Sequence, residues 1–121
     1  HIPAYRDQAH FNRRIIRWEP ETIVSLPAGI GVLPYCLPGS PAMMAANVEG
    51  LRHHNVVLWS KHGVMARSEL SATRAADRIE YAESAALYEY MDLANGGRAE
   101  GLTDDELREI VREFGVQTTL V

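Results

Sequence analysis

Two strand-like segments follow each other near the middle of the chain with no helix between them. Val56–Trp59 is a continuous apolar run, which is typical of a buried strand. After the polar residues 60–63, the chain resumes as Val64-Met65-Ala66, so two strand pieces meet at His62. This adjacency argues against strict β-α-β alternation and a doubly wound parallel sheet, so the chain is an α/β or α+β domain, and we predict the α/β class with α/β/α layers. The central sheet should be mainly antiparallel or mixed, and helices should flank it.

Apolar spacing predicts two helices by periodicity alone, over residues 5–18 and 71–93. Pro20 is expected to end the first, because proline cannot continue a helical hydrogen-bond ladder. The second has an alanine-rich face, predicted to pack closely and made of residues 72, 76, 79, 82, 86, 90 and 93. Three glutamates of this helix are expected to lie on its solvated face: Glu80, Glu83 and Glu89.

Two further helices are indicated by their start signals. Ser40 is a good N-cap and Pro41 suits the first helical position, which predicts a helix to about residue 54. Thr103 and Glu106 have the spacing of a capping box, flanked by apolar residues placed as a hydrophobic staple. These signals predict a last helix that should stop at Gly115.

The remaining strands are predicted from β-branched and apolar residues over 22–26 and 29–35. Pro34 lacks the amide N–H of a strand ladder, so the second of these strands should lie at a sheet edge or contain a bulge. The tail, residues 116–121, is expected to form a short strand or to have no regular secondary structure.

Composition excludes several classes of protein. With 121 residues, 46% of them hydrophobic, the chain is long enough for one domain with a core. Its 12 Lys+Arg against 16 Asp+Glu leave no basic footprint for a nucleic-acid partner, and no apolar run approaches the ~20 residues of a membrane span. The single cysteine, Cys36, excludes a disulfide framework, and without a signal peptide a cytoplasmic location is expected.

His62 is the main candidate for chemistry. It lies between two apolar strand pieces and precedes Gly63, which allows an unusual backbone dihedral or a close approach. An imidazole at a strand break is a frequent metal ligand or proton-transfer group. A buried histidine hydrogen-bonded to backbone is the plainer alternative. His53 and His54 are interpreted as a solvated helix end, because adjacent side chains point about 100° apart and chelate poorly.

Three motifs in a fixed order carry a family resemblance. They are Leu33-Pro34-Tyr35-x-x-Pro38-Gly39-Ser40, then His54-Asn55-Val56-Val57-Leu58-Trp59-Ser60-Lys61-His62-Gly63-Val64, then the alanine-rich helix. With these motifs in this order, the chain resembles the class II aldolase/adducin family and is most similar to its rhamnulose-1-phosphate aldolase branch. The resemblance extends over nearly all of the chain.

The resemblance implies a metal-dependent aldolase, a carbon–carbon lyase that assembles as a homotetramer. Its substrate would be a small-molecule sugar phosphate such as L-rhamnulose 1-phosphate, cleaved to dihydroxyacetone phosphate and an aldehyde. Family members bind zinc through two histidines of an H-x-H motif and one of an H-G motif, and the last maps onto His62. Zn²⁺ would act as a Lewis acid with open coordination positions. Glu21, at the head of predicted strand 22–26, would be a catalytic glutamate presented to a neighbouring subunit's site.

The chain departs from the family pattern because it contains no H-x-H. We therefore expect residues 1–121 to be the C-terminal portion of a single class II aldolase-like domain, incomplete and inactive alone. Two alternatives stay open on the same fold. One is a non-enzymatic, adducin-like binding or assembly module. The other is an epimerase or dehydratase acting on a sugar phosphate, which would share His62.

Overall fold

The computed structural model describes residues 7–121. These residues form helices on either side of a small sheet. In chain order the elements are α1 (Gln8–Ile15), α2 (Pro20–Ser25), β1 (Ile30–Leu33), α3 (Pro41–His53), β2 (Val56–Trp59), β3 (Gly63–Ala66), α4 (Ala72–Ala94) and α5 (Asp104–Glu113). Within residues 7–121, no helix is both long and apolar enough to cross a membrane.

The sheet has the strand order β1-β2-β3 and contains both pairing directions. β1 runs parallel to β2, with Leu33 opposite Trp59, and β2 runs antiparallel to β3, with Trp59 opposite Gly63. The prediction of a mixed sheet flanked by helices is confirmed. β1 lies at an edge of this sheet and ends before Pro34, as the missing proline N–H requires.

Two apolar clusters hold the helices in place. The first joins α1, the sheet and α4, and consists of Phe11, Ile15, Leu26, Ile30, Val56, Ala82 and Ala85. The second joins α2 and α5 around Ile16, Ile23 and Leu107. Leu120 and Val121 pack against this second cluster, so the tail is ordered by packing and forms no strand.

Both predicted helix starts are confirmed by their caps. The Ser40 hydroxyl accepts from the Met43 N–H at 3.1 Å, and Pro41 occupies the first turn of α3. In α5 both halves of the capping box are present. The Thr103 N–H donates to the Glu106 carboxylate at 2.8 Å, and the Glu106 N–H donates to the Thr103 hydroxyl at 3.3 Å.

The predicted strand over 22–26 is wrong, because these residues belong to helix α2. Pro20 does not end the preceding helix but begins this one, at a position where its missing N–H is no loss. A short apolar run does not distinguish helix from strand, and here tertiary packing decides, since Ile23 is fully buried in the second cluster. The first helix, α1, ends at Ile15 instead of residue 18, and its predicted start at residue 5 lies outside the described residues.

The buried face of α4 also differs from the predicted one. Its buried residues are Ala82, Ala85, Glu89 and Asp92, whereas predicted face positions 72, 76, 90 and 93 are exposed. Glu89, expected in solvent, is fully buried because α1 and the segment after it bring two donors to it. Arg14 Nε donates to Oε1 at 3.1 Å, and Trp18 Nε1 donates to Oε2 at 2.6 Å.

Candidate functional site

His62 lies in the tight turn that joins β2 to β3. The His62 N–H donates to the Trp59 carbonyl at 3.0 Å and closes the turn. Lys61, the residue before it, has φ of +63°, a left-handed conformation that is uncommon outside glycine. The unusual dihedral expected at Gly63 is therefore at Lys61, and a Cβ at Gly63 would meet nothing within 4 Å. Backbone strain of this kind concentrates at functional sites.

The turn is fixed to the neighbouring strand by one carbonyl. Leu33 O, at the end of β1, accepts from the Ser60 N–H at 3.2 Å and from Ser60 Oγ at 2.5 Å. Because β1 and β2 are parallel and in register, their carboxyl ends meet at the same sheet edge. Ligands of α/β proteins commonly bind at such an edge.

The His62 side chain is exposed, so the alternative of a buried, backbone-bonded histidine is wrong. Its ring stacks on Trp59 with centroids 5.1 Å apart and planes inclined by 27°. Trp59 Nε1 in turn donates to Asn47 Oδ1 at 2.8 Å, which links the stack to α3. Trp59 lies within the predicted strand, but the sequence indicates neither its stack on His62 nor its bond to Asn47, because the packing of α3 on β2 leaves no local sequence signal.

A cleft of about 730 Å³ opens beside the turn. The strands contribute Val32, Leu58 and Trp59 to its lining, while Ala86, Leu87 and Tyr90 line it from α4. Phe11 and Gln8 of α1 complete the lining together with the polar groups Ser60, Lys61, His62 and Glu83, and with Gly63. The cleft therefore combines apolar surface with an imidazole, an ammonium and a carboxylate at its boundary, as small-molecule sites commonly do.

The other two histidines of the helix end have separate partners. His53 is exposed and its Nε2 lies 3.1 Å from Glu49, one turn earlier on α3, in agreement with a solvated helix end. His54 departs from that expectation. Its Nδ1 donates to Ala28 O at 3.0 Å and its Nε2 lies 3.4 Å from Gln8 Nε2, so it ties the loop before β1 to α1.

Glu21 lies in the first turn of α2 and is exposed, which corrects its expected place at the head of a strand. Within residues 7–121 the lining of the His62 cleft does not include it, so the structure does not bring the two predicted site residues together in one cleft. The nearby carboxyl group of Glu19 has a raised pKa, caused first by burial and then by the charge of Glu21.

The residues described by the structure provide part of a site for the metal expected from the resemblance. An exposed imidazole is a donor that zinc and related ions accept, so His62 fits as one ligand. Across the described part of the chain, no group of three or more His, Cys, Asp or Glu residues could hold a metal ion. Catalytic zinc sites take three protein ligands, so these residues do not form a whole site.

Comparison with known proteins gives consistent matches. Residues 8–90 match the family described as Class II Aldolase and Adducin N-terminal domain. The chain is 32% identical over 97 residues to a rhamnulose-1-phosphate aldolase of Bacteroides thetaiotaomicron, covering 80% of this chain and 36% of that protein. It is 33% identical over 107 residues to one of Klebsiella pneumoniae, covering 88% and 38%.

A solved structure extends the likeness to the fold. The crystal structure of a sugar-phosphate aldolase from Thermotoga maritima superimposes with a TM-score of 0.65 and 32% identity, covering 71% of this chain and 37% of that one. The chain thus spans well under half the length of the proteins it matches. The family match alone covers more than half of the chain, and the fold agrees with it. The chain therefore belongs to the class II aldolase and adducin N-terminal domain family.

Proposed function

We propose that this chain is part of a metal-dependent aldolase that cleaves a ketose 1-phosphate. L-rhamnulose 1-phosphate is the proposed substrate, with dihydroxyacetone phosphate and an aldehyde as products. The observation that carries the proposal is the exposed His62 imidazole at the boundary of an apolar cleft, in a chain of this family. Relatives named rhamnulose-1-phosphate aldolase support the choice of substrate.

In this proposal His62 is one ligand of a divalent metal, with Zn²⁺ as the expected ion. The metal, when bound, supplies the Lewis acid that polarises the substrate carbonyl. Residues 7–121 contain no group of three or more metal-binding side chains. In this proposal further ligands come from outside them, and residues 1–121 would be the C-terminal portion of one class II aldolase-like domain. The apolar wall formed by Val32, Leu58 and Leu87 would limit water around the reacting carbons.

Glu21 has a separate place in the proposal. It is exposed and lies outside the lining of its own chain's cleft, so it would act in the site of a neighbouring subunit. This assignment requires an oligomer, for which the homotetramer of the resemblance is the prediction. A cytoplasmic location is proposed because a single cysteine is typical of proteins in a reducing compartment.

The test uses the full-length protein with His62→Ala and a matched control, His53→Ala. His53 is also an exposed histidine of this chain, but it pairs with Glu49 on α3. We expect His62→Ala to lower bound metal at least about tenfold and to abolish cleavage of L-rhamnulose 1-phosphate, because a ligand is lost. His53→Ala should match the wild type in both measurements. Unchanged metal content and cleavage in His62→Ala would refute the proposal.

The substrate panel separates the alternatives. L-Fuculose 1-phosphate and L-ribulose 5-phosphate are assayed beside L-rhamnulose 1-phosphate, with product detection for cleavage, epimerisation and dehydration. We expect cleavage of the rhamnulose compound at the highest kcat/KM. Epimerisation or dehydration without cleavage would assign the chain to another branch, and a wild-type protein with neither metal nor turnover would indicate a binding module.

A further inference from the structure

The His62 imidazole is exposed at the tip of a turn, yet a neighbouring ring restricts it. An exposed side chain normally samples several rotamers on a fast timescale. In this turn the indole of Trp59 lies against the imidazole, with centroids 5.1 Å apart and planes 27° from parallel. This geometry falls within the range of favourable aromatic pairs. The stack favours one orientation of the ring over the others.

Trp59 is itself held from the other side. Its Nε1–H donates to Asn47 Oδ1 at 2.8 Å, a side-chain hydrogen bond in a partly buried location. Asn47 is on α3, which packs against β1 and β2, so the acceptor belongs to a rigid element. The indole plane is therefore set by a helix, and not only by its own strand.

The backbone of the turn is fixed independently. Ser60 binds Leu33 O through both its N–H and its hydroxyl, and the His62 N–H closes on Trp59 O. Lys61 holds a left-handed φ between these two anchors. The position of the His62 Cα is thus determined by the backbone, while the direction of its ring is left to Trp59.

We infer that Trp59, anchored by Asn47, is a positioning residue that holds the His62 imidazole ready for a ligand. The consequence for metal binding rests on the proposed function, whereas the orientation of the ring does not. Side chains that orient a metal ligand usually act by hydrogen bonding, and losing one typically lowers metal affinity 10–100-fold. Here stacking on an anchored indole performs the same task.

The first experiment follows the His62 ring by NMR in the metal-free, full-length protein with labelled histidine. His62 signals are assigned by their loss in His62→Ala. Trp59→Leu should abolish the ring-current shift of the His62 ring protons, and Asn47→Ala should reduce it. Asn47→Asp keeps an acceptor for the indole N–H and should restore it. Tyr88→Leu, an exposed aromatic on α4 outside the cleft lining, is the control and should leave the shift unchanged.

The second experiment measures zinc affinity by competition with a chromogenic chelator. Trp59→Leu and Asn47→Ala should each lower it about tenfold, and Asn47→Asp should recover most of the loss. Ring shifts unchanged in Asn47→Ala overturn the inference, even if Trp59→Leu fails to fold. Where His62→Ala lowers zinc affinity, ring shifts that move in Asn47→Ala while zinc affinity stays constant also overturn the inference. A His62→Ala protein that binds zinc normally refutes the proposed function instead, and the ring shifts still decide whether Trp59 orients His62.

Discussion

Arg14 joins α1 to two carboxylates on the buried face of α4, and removing it tests how the two helices are held together. Its Nε donates to Glu89 at 3.1 Å and its Nη2 to Asp92 at 2.9 Å. The side chains of Glu89 and Asp92 are 0% and 1% exposed, while that of Arg14 is 32% exposed. Arg14→Met keeps much of the side-chain volume but removes the guanidinium that binds both buried carboxylates.

The size of the effect follows from the same contacts. Removing one partner of a buried ion pair costs about 3–5 kcal/mol, mainly because the other charge is left buried and uncompensated. Two observations lower the value: Arg14 is partly solvated, and other donors remain. Trp18 Nε1 still donates to Glu89, and the Ala99 N–H still donates to Asp92 at 2.7 Å. We expect Arg14→Met to lower the free energy of unfolding by about 3 kcal/mol.

Urea denaturation of the wild type, Arg14→Met and Arg13→Met measures the difference. Arg13 precedes Arg14 on α1 but is exposed, so its substitution should change stability by less than about 0.5 kcal/mol. Adding Glu89→Gln to Arg14→Met should recover part of the loss, because the amide can still accept from the Trp18 indole without burying a charge. Equal effects of Arg14→Met and Arg13→Met would refute the argument.

Two further predictions use a glycine pair and a cap. Gly29 and Gly39 both have a left-handed φ, but a Cβ at Gly29 would lie 2.5 Å from the Asn12 side chain, whereas at Gly39 it meets nothing within 4 Å. Gly29→Ala should therefore cost about 2 kcal/mol more than Gly39→Ala in urea denaturation, and equal costs would contradict this. Hydrogen bonds from the backbone and hydroxyl of Thr103 lower the pKa of Glu106. The stability difference between wild type and Glu106→Gln should thus be present at neutral pH. It should begin to fall near the ordinary glutamate pKa of about 4.3 and be lost as the pH passes below the lowered pKa of the folded state, whereas a difference that stays constant to pH 3 would refute it.

The parts of the fold that could be predicted from the sequence depend on near neighbours. The cap at Ser40 and the capping box at Thr103 join residues three positions apart, so both are evident in the sequence. The β2–β3 hairpin follows from two apolar runs separated by a short polar turn. Each of these features is decided by local backbone geometry, which no distant contact overrides.

The wrong predictions concern residues whose structure depends on contacts with distant parts of the sequence. Residues 22–26 were predicted as a strand because their β-branched composition suits one, but Ile23 is buried against α5 and packs as part of a helix. Glu89 was predicted to be solvated, yet its partners Arg14 and Trp18 are 75 and 71 residues away in sequence. Neither packing nor ion pairing over such separations leaves a periodic signal on the element itself.

In the candidate site, too, the sequence predicts the local feature and not the contacts between distant residues. His62 was found because a histidine between two strands is a local pattern, while its exposure and its stack on Trp59 depend on how the turn closes. Asn47 is 12 residues from Trp59, on the far side of a helix–strand connection. Its role follows only after α3 is known to pack on β2.

The mixed sheet itself explains why these groups meet at one place. Trp59 is paired with Leu33 in the parallel direction and with Gly63 in the antiparallel direction, so the end of β2 is fixed from both sides. Because β1 and β2 are parallel, the carbonyl of Leu33 points to the turn that carries His62 and can bind Ser60. If β1 ran antiparallel to β2, its carboxyl end would lie at the opposite edge and this anchor would be lost. The parallel pairing of β1 with β2 is therefore what places an anchored histidine beside the cleft.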